Sequence, residues 1–397
     1  MLFDLDAVVL GGCGHVGLPL GLVLARSGAR VALYDTNAEA VAMVQSGQVP
    51  FDEPDTEKLL DEALGTDAFE VTTDPTVLTR SETVIIVVGT PIDEHLNPDL
   101  FAVSDAVHAI VEHLVDGQLI ILRSTVYPGV TELVEKVIAA TGLDIDLAFC
   151  PERIAEGKAI AEITELPQLI SGCTPRAASR ADDFFSRLEV ETIHLEPVEA
   201  ELAKLFTNTW RYIKFAVANQ YFMIANDYGL DFERIRAALV QNYPRAADLP
   251  RAGFAAGPCL FKDAMQLAAF NNNSFTLGHA SMTMNEGLPL YLVSCAERRW
   301  DLSKMTVGIL GMSFKAESDD IRASLSYKLK RILRFKAAEV LCTDPYVRND
   351  PNLVGLDTVL EHADLLFVGA PHAPYANLAP RVPVVDVWNL FGNGTQV

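Results

Sequence analysis

Residues 7–21 read AVVLGGCGHVGLPLG, and this stretch decides the fold of the N-terminal part of the chain. The apolar run from Ala7 to Leu10 predicts a short buried strand. A Gly12-x-Gly14-x-x-Gly17 turn follows it, and Leu18 to Arg26 then resumes with the apolar spacing of a helix. Strand, glycine turn and helix in this order predict a doubly wound α/β domain that binds a dinucleotide.

The second strand of this unit, Arg30 to Tyr34, ends at Asp35, which is 23 residues after Gly12. The glycines let a pyrophosphate reach the positive end of the helix, and the Asp35 carboxylate can accept hydrogen bonds from ribose hydroxyls. A carboxylate there also repels a 2′-phosphate, so the pattern favours NAD over NADP. The alternative, a glycine-rich turn without a ligand, is disfavoured because strand, helix and acid are all in place. Cys13 and His15 occupy the variable positions of this turn.

Further apolar runs continue the pattern through the first half of the chain. Thr83 to Val88 is wholly apolar after its first residue and leads into Gly89-Thr90-Pro91, and further strands are expected at Gln118 to Leu122 and Asp146 to Cys150. Apolar, β-branched runs of this kind are typical of buried parallel strands. Residues 1–193 are therefore predicted to form one alternating β/α domain.

The pattern changes at Glu196. One long helical run continues to Tyr228, Gly229 breaks it, and helices dominate to about Trp300, apart from a loop over residues 241–262. We therefore predict a helical segment over residues 194–300. It is expected to join two α/β halves and to pack against a second copy of the chain in a homodimer.

Residues 301–397 repeat the opening plan in weaker form. VGILGMS at 307–313 echoes VVLGGCG at 8–14, while VLCTD echoes VALYD and LLFVGAP echoes VIIVVGTP. Only the first copy has the full glycine set, so the second is expected to hold a different nucleotide. The predicted fold class is α/β, with two Rossmann-like doubly wound domains joined by a helical dimerisation segment.

Composition restricts the class of protein. A chain of 397 residues is too long for one hydrophobic core, and its net charge of −22 argues against nucleic-acid or anionic-membrane partners, which need broad basic faces. Neither a charged-then-apolar leader nor an apolar run of roughly 18 residues is present, so a cytoplasmic location is expected. The six cysteines lack metal-ligand spacing, which predicts reduced thiols and no metal site.

Cys259 lies in a loop of small residues, GFAAGPCLFKD at 253–263, ahead of a predicted helix. Lys262 and the helix N-terminus would both favour its thiolate, which could attack a carbonyl. A cysteine near a lysine is more often a small buried hydrophobe, so this interpretation depends on the rest of the sequence.

Lys204 and Asn208 are four residues apart on the helix that runs from Glu199, so their side chains project from one face. Both could address one ligand. A solvated lysine beside an incidental asparagine is the alternative.

These stretches together resemble the UDP-glucose/GDP-mannose dehydrogenase family nearly end to end. The motifs that carry the resemblance are GGCGHVGLPLG (11–21), VGTP (88–91), STVYPGVTE (124–132), PERIAEGKAI (151–160), ELAKLFTNT (201–209), GFAAGPCLFKD (253–263) and LGMSFKAESDDIRAS (310–324). The resemblance implies oxidation of the C6 primary alcohol of a nucleotide-linked hexose in two hydride transfers, with two NAD consumed per sugar.

The resemblance also implies catalytic roles. Cys259 would capture the aldehyde as a thiohemiacetal, which is oxidised to a thioester and hydrolysed. Lys204 and Asn208 would stabilise the oxyanions, Asp263 and Thr125 would organise the catalytic water, and Glu152 would transfer a proton during hydrolysis.

Binding residues follow from the same resemblance. The cofactor-binding set is Gly12, Gly14, His15, Val16, Gly17, Asp35, Thr90, Pro91 and Thr125. The substrate-binding set is Arg153, Ile154, Lys204, Arg245, Lys315 and Arg322. Arg245 matches an arginine that reaches the partner subunit's sugar site in some members, although a surface arginine is an equal alternative.

One departure from the family concerns the cysteine loop. Relatives usually have Gly-Gly-Ser-Cys or Gly-Gly-His-Cys where this chain has Ala256-Gly257-Pro258-Cys259. Alanine disfavours positive φ angles and Pro258 removes an amide donor, so the identity of the hexose stays open. A UDP-linked sugar is favoured, with N-acetylhexosamine slightly ahead of glucose.

Two other functions stay compatible with the sequence. One is a two-electron hydroxyacid or sugar-phosphate dehydrogenase, which would not need Cys259. The other is a non-catalytic protein that binds NAD or a nucleotide sugar without turnover.

Overall fold

The computed structural model describes residues 3–90, 92–93, 98–395 and 397. The chain divides into two compact units, and the division falls after Phe206. Each unit is built around its own mainly parallel sheet, which confirms the predicted α/β class with a large and a smaller sheet.

The first unit alternates strands and helices. In chain order its elements are β1 (Leu5–Leu10), α1 (Gly17–Arg26), β2 (Val31–Tyr34), α2 (Ala38–Gln45), α3 (Thr56–Leu64), β3 (Phe69–Thr72), a 3-10 helix (Pro75–Arg80), β4 (Ser81–Ile86), α4 (Ala102–Ile110), a 3-10 turn (Val111–His113), β5 (Leu119–Leu122), α5 (Val130–Ala139), β6 (Asp146–Phe149), α6 (Ala159–Glu165), β7 (Gln168–Gly172), α7 (Pro175–Ser186) and β8 (Thr192–His194).

Within the described residues the first sheet has the strand order β3-β2-β1-β4-β5-β6-β7-β8. Neighbouring strands are parallel, except that β7 runs antiparallel to β6. Along β1, Ala7 and Val9 face one buried core, while Leu5, Val8 and Leu10 face the other. Because both faces of the sheet are covered, its central strands are apolar throughout rather than alternating. The strands β3, β7 and β8 were not among the predicted ones.

The second unit begins within the long helix α8 (Pro197–Asp227). Its further elements are α9 (Phe232–Val240), a 3-10 turn (Pro244–Ala246), α10 (Leu260–Phe270), α11 (Thr276–Glu297), a 3-10 turn (Leu302–Lys304), β9 (Thr306–Leu310), α12 (Leu325–Leu333), β10 (Glu339–Thr343), α13 (Leu356–His362), β11 (Leu365–Val368), a 3-10 turn (Ala373–Tyr375) and β12 (Val384–Val385). The loop predicted through Lys262 therefore ends earlier, because α10 already begins at Leu260.

The second sheet has the order β10-β9-β11-β12 among the described residues, and all its strands are parallel. One core joins Phe222 of α8, Leu288 of α11 and Ile309 of β9. The helices after Phe206 therefore form one compact unit with this sheet, and the boundaries expected at residues 193 and 300 stay predictions. Across the described part of the chain, no helix is both long enough and apolar enough to span a membrane.

Candidate active site

The glycine turn after β1 is built for close approach at two positions and leaves one position open. A Cβ atom at Gly12 would lie 2.7 Å from the Leu33 Cβ, and one at Gly17 would lie 2.2 Å from the Gly11 carbonyl oxygen. At Gly14 the nearest atom would be the same carbonyl oxygen at 3.6 Å, an ordinary contact. The turn therefore packs tightly on the sheet and leaves free space at Gly14, in front of the N-terminus of α1, where a pyrophosphate fits.

Asp35 lies at the end of β2, as predicted, and its carboxylate is tied to the glycine turn. Its Oδ2 accepts the Cys13 amide at 3.0 Å, and its Oδ1 accepts the Asn37 amide at 3.0 Å. Burial raises the pKa of the Cys13 thiol to about 12, so this cysteine is a packing residue of the turn. His15 stacks on Phe51 with the ring centroids 4.1 Å apart.

The loops that follow β4 and β5 are joined by side-chain hydrogen bonds. The Thr90 hydroxyl donates to the Thr125 carbonyl at 2.6 Å, and the Val88 amide donates to the Ser124 hydroxyl at 2.8 Å. Two predicted cofactor residues, Thr90 and Thr125, are thereby brought together at the carboxyl edge of the sheet. Val16 occupies the N-cap of α1. Pro91 lies outside the described residues.

Lys204 is nine-tenths buried on α8, one turn after Glu201. The Glu201 carboxylate accepts the amides of Gly129 at 2.7 Å and Thr131 at 2.9 Å, and the Thr131 hydroxyl at 2.6 Å. These amides open α5, so Glu201 caps that helix from a distance and satisfies its unpaired donors. The capping fixes the turn of α8 that bears Lys204 on the first unit.

Glu152 is buried and fully engaged. Its Oε2 pairs with the buried Arg123 guanidinium, and its Oε1 accepts the amides of Arg153 at 2.7 Å and Ile154 at 3.2 Å. Burial favours the protonated acid, but the Arg123 charge and these hydrogen bonds outweigh it and lower the pKa of Glu152. The ionised carboxylate is a weak base in this arrangement, and its part in proton transfer stays a prediction.

The loop that contains Arg153 and Ile154 is held by further carboxylates. Glu53 accepts the amides of Gly157 at 2.6 Å and Ala159 at 2.8 Å, while Glu162 accepts the Ala155 amide at 2.6 Å. The Arg153 guanidinium donates to the Pro167 carbonyl. The loop is therefore rigid in its backbone, and a role of Arg153 and Ile154 in substrate binding stays a prediction.

Cys259 is exposed and occupies the N-cap of α10. The prediction that this cysteine lies at a helix N-terminus is confirmed. The Asp263 amide donates to the Cys259 carbonyl at 2.9 Å, which closes the first turn of the helix. Cys259 therefore lies at the positive end of the α10 dipole, the kind of position at which reactive cysteines occur in proteins.

Asp263 links α10 to α8. Its side chain is fully buried, and its Oδ2 accepts the Asn208 amide nitrogen at 2.5 Å. The Lys262 ammonium lies 3.2 Å from its Oδ1. The structure therefore brings Asn208, Lys262 and Asp263 together one helical turn from Cys259, and their catalytic roles stay predictions.

The loop before Cys259 has a fixed backbone. Gly253, with φ at +152°, is held by the Asn219 side chain, which accepts its amide at 2.9 Å and donates to its carbonyl at 3.0 Å. Gly257 has φ at +100°, and a Cβ there would lie 2.6 Å from the Phe314 ring. A left-handed backbone pressed against an aromatic ring admits only glycine, so Gly257 is the loop position that cannot change.

The remaining predicted substrate residues lie in the second unit with different surroundings. Lys315 follows Phe314, and its Nζ lies 5.6 Å from the centroid of that ring. Arg322 forms two-pronged hydrogen bonds with Asp320 at 2.6 to 3.0 Å. Arg245 is exposed and donates to the Tyr243 hydroxyl at 3.0 Å. Their binding roles stay predictions.

Sequence reasoning did not single out Glu201, Arg123 or Glu53. Each acts on partners far along the chain, 70 residues away for Glu201 with Thr131 and 29 for Arg123 with Glu152. Glu201 is the first residue of the ELAKLFTNT motif, and an acidic residue one turn before Lys204 was the available signal. Arg123 ends the apolar β5 run, and a charge in that place signals a buried partner.

Comparison with known proteins gives a consistent result. The UDP-glucose/GDP-mannose dehydrogenase family is described by three domains, and all three match in order. Its NAD binding domain matches residues 6–189, its central domain residues 198–286 and its UDP binding domain residues 308–393.

Individual relatives agree with the domain matches. The UDP-N-acetyl-D-mannosamine dehydrogenase of Pyrococcus horikoshii is 30% identical over 380 residues, which covers 92% of this chain and 90% of the relative. An NDP-N-acetyl-D-galactosaminuronic acid dehydrogenase of Ralstonia nicotianae is 27% identical over 400 residues, covering 94% and 93%.

Solved structures show the same likeness. The UDP-D-ManNAc dehydrogenase of Pyrococcus horikoshii superposes with a TM-score of 0.90 at 28% identity, over 97% of this chain and 96% of that one. A UDP-glucose dehydrogenase of Pyrobaculum islandicum also gives 0.90, at 27% identity over 97% and 94%. The chain therefore belongs to the UDP-glucose/GDP-mannose dehydrogenase family of nucleotide-sugar dehydrogenases and is an oxidoreductase that uses NAD.

Proposed function

We propose that this enzyme oxidises the C6 primary alcohol of a UDP-linked hexose to a carboxylate in two steps that pass through Cys259. The observation that carries the proposal is the exposed cysteine at the N-cap of α10, one turn from the buried Asn208–Asp263 pair. A simple alcohol dehydrogenase needs no such nucleophile.

The proposed route joins two oxidations through a covalent intermediate on Cys259. The alcohol loses a proton and a hydride to become an aldehyde, and the Cys259 thiolate adds to the aldehyde carbon to form a thiohemiacetal. Loss of a second proton and hydride turns the thiohemiacetal into a thioester. Water then adds to the thioester carbonyl and the C–S bond breaks, which releases the carboxylate and two protons and restores the Cys259 thiolate. The sulfur adduct keeps the aldehyde bound between the two oxidations.

Lys204 and Asn208 act on the oxygen that carries negative charge in each step. Lys204 is removed from bulk water by burial, and the Asn208 amide is oriented by its bond to Asp263 at 2.5 Å. Fixed donors in a dry environment stabilise an oxyanion strongly because they need no reorganisation. Asp263 and Thr125 organise the hydrolytic water, and Glu152 assists its proton transfer.

NAD supplies the hydride acceptor for each oxidation. Gly12 and Gly17 give the turn its tight packing, Gly14 leaves room for the pyrophosphate, and the Asp35 carboxylate holds the ribose hydroxyls. His15, Val16, Thr90, Pro91 and Thr125 complete the cofactor-binding set.

For the substrate we favour a UDP-N-acetylhexosamine over UDP-glucose. Several similar curated proteins are named for N-acetylated sugars, although a UDP-glucose dehydrogenase gives the same TM-score as a UDP-D-ManNAc dehydrogenase. Lys315 and Arg322 bind the nucleotide part, and Arg153, Ile154 and Lys204 bind the sugar. Arg245, exposed beside Tyr243, is available to a second copy of the chain.

We also propose a homodimer that forms through α8. Trp210, Val217, Tyr221 and Ile224 recur at helical spacing along this helix, and Tyr228 directly follows its last residue; each is 37% to 80% exposed. A continuous apolar stripe of this length is typical of a surface that another chain covers.

The test is the yield of NADH per mole of nucleotide sugar consumed, measured for the wild type, Cys259→Ser and the control Cys173→Ser. We expect two NADH for the wild type and the control. Cys259→Ser is expected to form acid at least roughly 1000-fold more slowly, because it loses the nucleophile.

Each other outcome identifies a competing function. A yield of one NADH indicates a two-electron dehydrogenase, and binding without NADH indicates a non-catalytic protein. Acid formation by Cys259→Ser at the wild-type rate would reject the thioester route.

A further inference from the structure

A buried histidine lies behind the segment that carries Lys315. His372 is fully buried and follows β11 by four residues. Its Nδ1 accepts the Glu317 amide at 3.0 Å, and its Nε2 lies 3.0 Å from Asp344 Oδ2 and 3.2 Å from the Ser313 hydroxyl. Because Nδ1 accepts a hydrogen bond, the ring proton lies on Nε2 and is donated to Asp344.

Asp344 is the fixed partner of this histidine. Its Oδ2 also accepts the amides of Met312 at 2.6 Å and Ser313 at 3.0 Å. Burial opposes ionisation, but the hydrogen bond from His372 and these amides outweigh it and lower the pKa of Asp344 to about 2. The carboxylate is therefore a permanent acceptor that holds the imidazole in one orientation.

His372 thus contacts both ends of the segment 313–317. At the far end Glu317 has φ at +53°, a left-handed conformation that a non-glycine residue adopts only when its surroundings hold it there. The Glu317 side chain adds two contacts, since its Oε1 accepts the Ala373 amide at 2.6 Å and its Oε2 accepts the Tyr346 hydroxyl.

The residues between these two ends touch the cysteine loop. The Phe314 ring lies against Gly257, two residues before Cys259, and the Lys315 ammonium lies over the same ring. The Phe314 amide donates to the Asp320 carbonyl at 2.9 Å, and the Ser324 hydroxyl donates to the Ser313 carbonyl at 3.1 Å. A shift of the segment would therefore move Lys315 and the glycine that shapes the loop together.

We propose that His372 is a positioning residue for nucleotide-sugar binding, which holds the segment 313–317 so that Lys315 meets the diphosphate of the substrate. The inference rests on the proposed function, in which Lys315 binds the nucleotide. His372 itself is fully buried and acts only through the segment.

Two conservative variants separate the two contacts of the imidazole. His372→Gln keeps a donor near the Nε2 position but loses the acceptor for the Glu317 amide. His372→Asn keeps an acceptor near the Nδ1 position but loses the donor to Asp344, which retains its amide partners. UDP is the probe, because its binding can be measured by calorimetry without turnover.

We expect His372→Gln to weaken UDP binding by about 10-fold, because the part-buried Glu317 amide loses its acceptor and the segment loses one of its two contacts with His372. Its KM for the nucleotide sugar should rise by a similar factor, while the KM for NAD stays within about twofold. His372→Asn should change UDP binding by no more than about threefold. A thermal melt of each variant checks that it folds.

A double-mutant cycle distinguishes positioning from general structural damage. If His372 acts through Lys315, His372→Gln adds little to the loss already caused by Lys315→Ala. Unchanged UDP binding by His372→Gln, an equal rise in the KM for NAD, or full additivity with Lys315→Ala would each overturn the inference.

The inference and the proposed function fail in different ways. A wild type that makes no NADH from any UDP-sugar rejects the function, but the UDP titrations still test the role of His372. If His372→Gln does not fold, Ser313→Ala removes the contact at the other end of the segment, together with the hydrogen bond from the Ser313 hydroxyl to the Lys315 carbonyl at 2.7 Å. It is expected to weaken UDP binding about threefold, and no change there would overturn the proposal.

Discussion

In each of the two sheets of this enzyme, the first strand in chain order, β1 or β9, is followed by the same type of glycine turn. Gly11 after β1 and Gly311 after β9 have φ angles of +80° and +91°. Each donates its amide at 2.9 Å to the last residue of the neighbouring strand, Tyr34 in the first sheet and Thr343 in the second. In both, the next residue is an aspartate whose carboxylate accepts amides of the turn.

The two glycine turns differ in the side chains that they carry. Three and six residues after the shared glycine, the first copy has Gly14 and Gly17, and the second has Phe314 and Glu317. In the second copy, His372 follows the strand residue Val368 by four residues and lies beside the turn. The second aspartate is thereby engaged by a buried histidine. One turn geometry therefore carries either an open glycine turn or a segment fixed by a buried histidine, depending on a few side chains.

The largest effect is expected from placing a phenylalanine side chain, as at Phe314, at the equivalent position of the first glycine turn, Gly14. Gly14→Phe should reduce NAD affinity at least about 1000-fold, because the ring fills the space in front of the α1 N-terminus that the pyrophosphate needs. The fold should tolerate the change, since a Cβ at Gly14 meets only one atom at 3.6 Å. Calorimetric titration with NAD measures the effect, and unchanged UDP binding is the control. An NAD affinity within tenfold of wild type would contradict the assignment of the turn.

A second test asks whether Gly11 and Gly311 are equally intolerant of a side chain. A Cβ at Gly11 would lie 2.0 Å from the Val87 carbonyl oxygen, and one at Gly311 would lie 2.5 Å from that of Ala370. Each Gly→Ala change should lower the free energy of unfolding by about 3 kcal/mol. Gly28→Ala, at φ +91° with nothing within 4 Å, should cost about 1 kcal/mol. Urea unfolding midpoints measure all three, and a Gly311→Ala cost no larger than that of Gly28→Ala would refute the equivalence.

The smallest expected effect is on the stability of the second unit at acid pH. The pKa of Asp344 in the folded chain, about 2, lies below its ordinary value of 3.8. The stability it contributes is therefore present above about pH 4 and is lost as the pH falls toward 2. The difference in unfolding free energy between wild type and Asp344→Asn should shrink by about 1 kcal/mol from pH 6 to pH 3. The exposed Asp357→Asn is the control for charge, and a constant wild-type advantage would speak against the buried pair.

Local sequence signals predicted the parts of the fold that depend on neighbouring residues. The turn at Gly12 to Gly17, the aspartate after β2 and the repeat at Gly311 all follow from patterns of a few residues. The strand β3, Phe69–Thr72, was missed because four residues that include a glutamate give no clear periodicity. The antiparallel strand β7 depends on its pairing with β6, which no local pattern encodes.

The motifs of the candidate site could be predicted from the sequence, but the residues that hold those motifs in place could not. Cys259 at a helix start and Lys204 with Asn208 on one helix could be read from spacing. The His372 contacts could not, because they join residues 28 to 59 positions apart in three different loops. A histidine four residues after an apolar strand, at the edge where ligands bind in such sheets, was the signal that the sequence offered.

The carboxylate of Glu53 has a consequence for how the chain is made. It holds the amides of Gly157 and Ala159, which lie 104 and 106 residues later. At a translation rate of roughly 5 to 20 residues per second, this side chain leaves the ribosome about 5 to 20 seconds before its partners exist. Until then the loop that contains Gly157 and Ala159 cannot be fixed to the nascent N-terminal sheet. A ribosome that stalls in this interval therefore exposes an unfinished edge to chaperones and proteases.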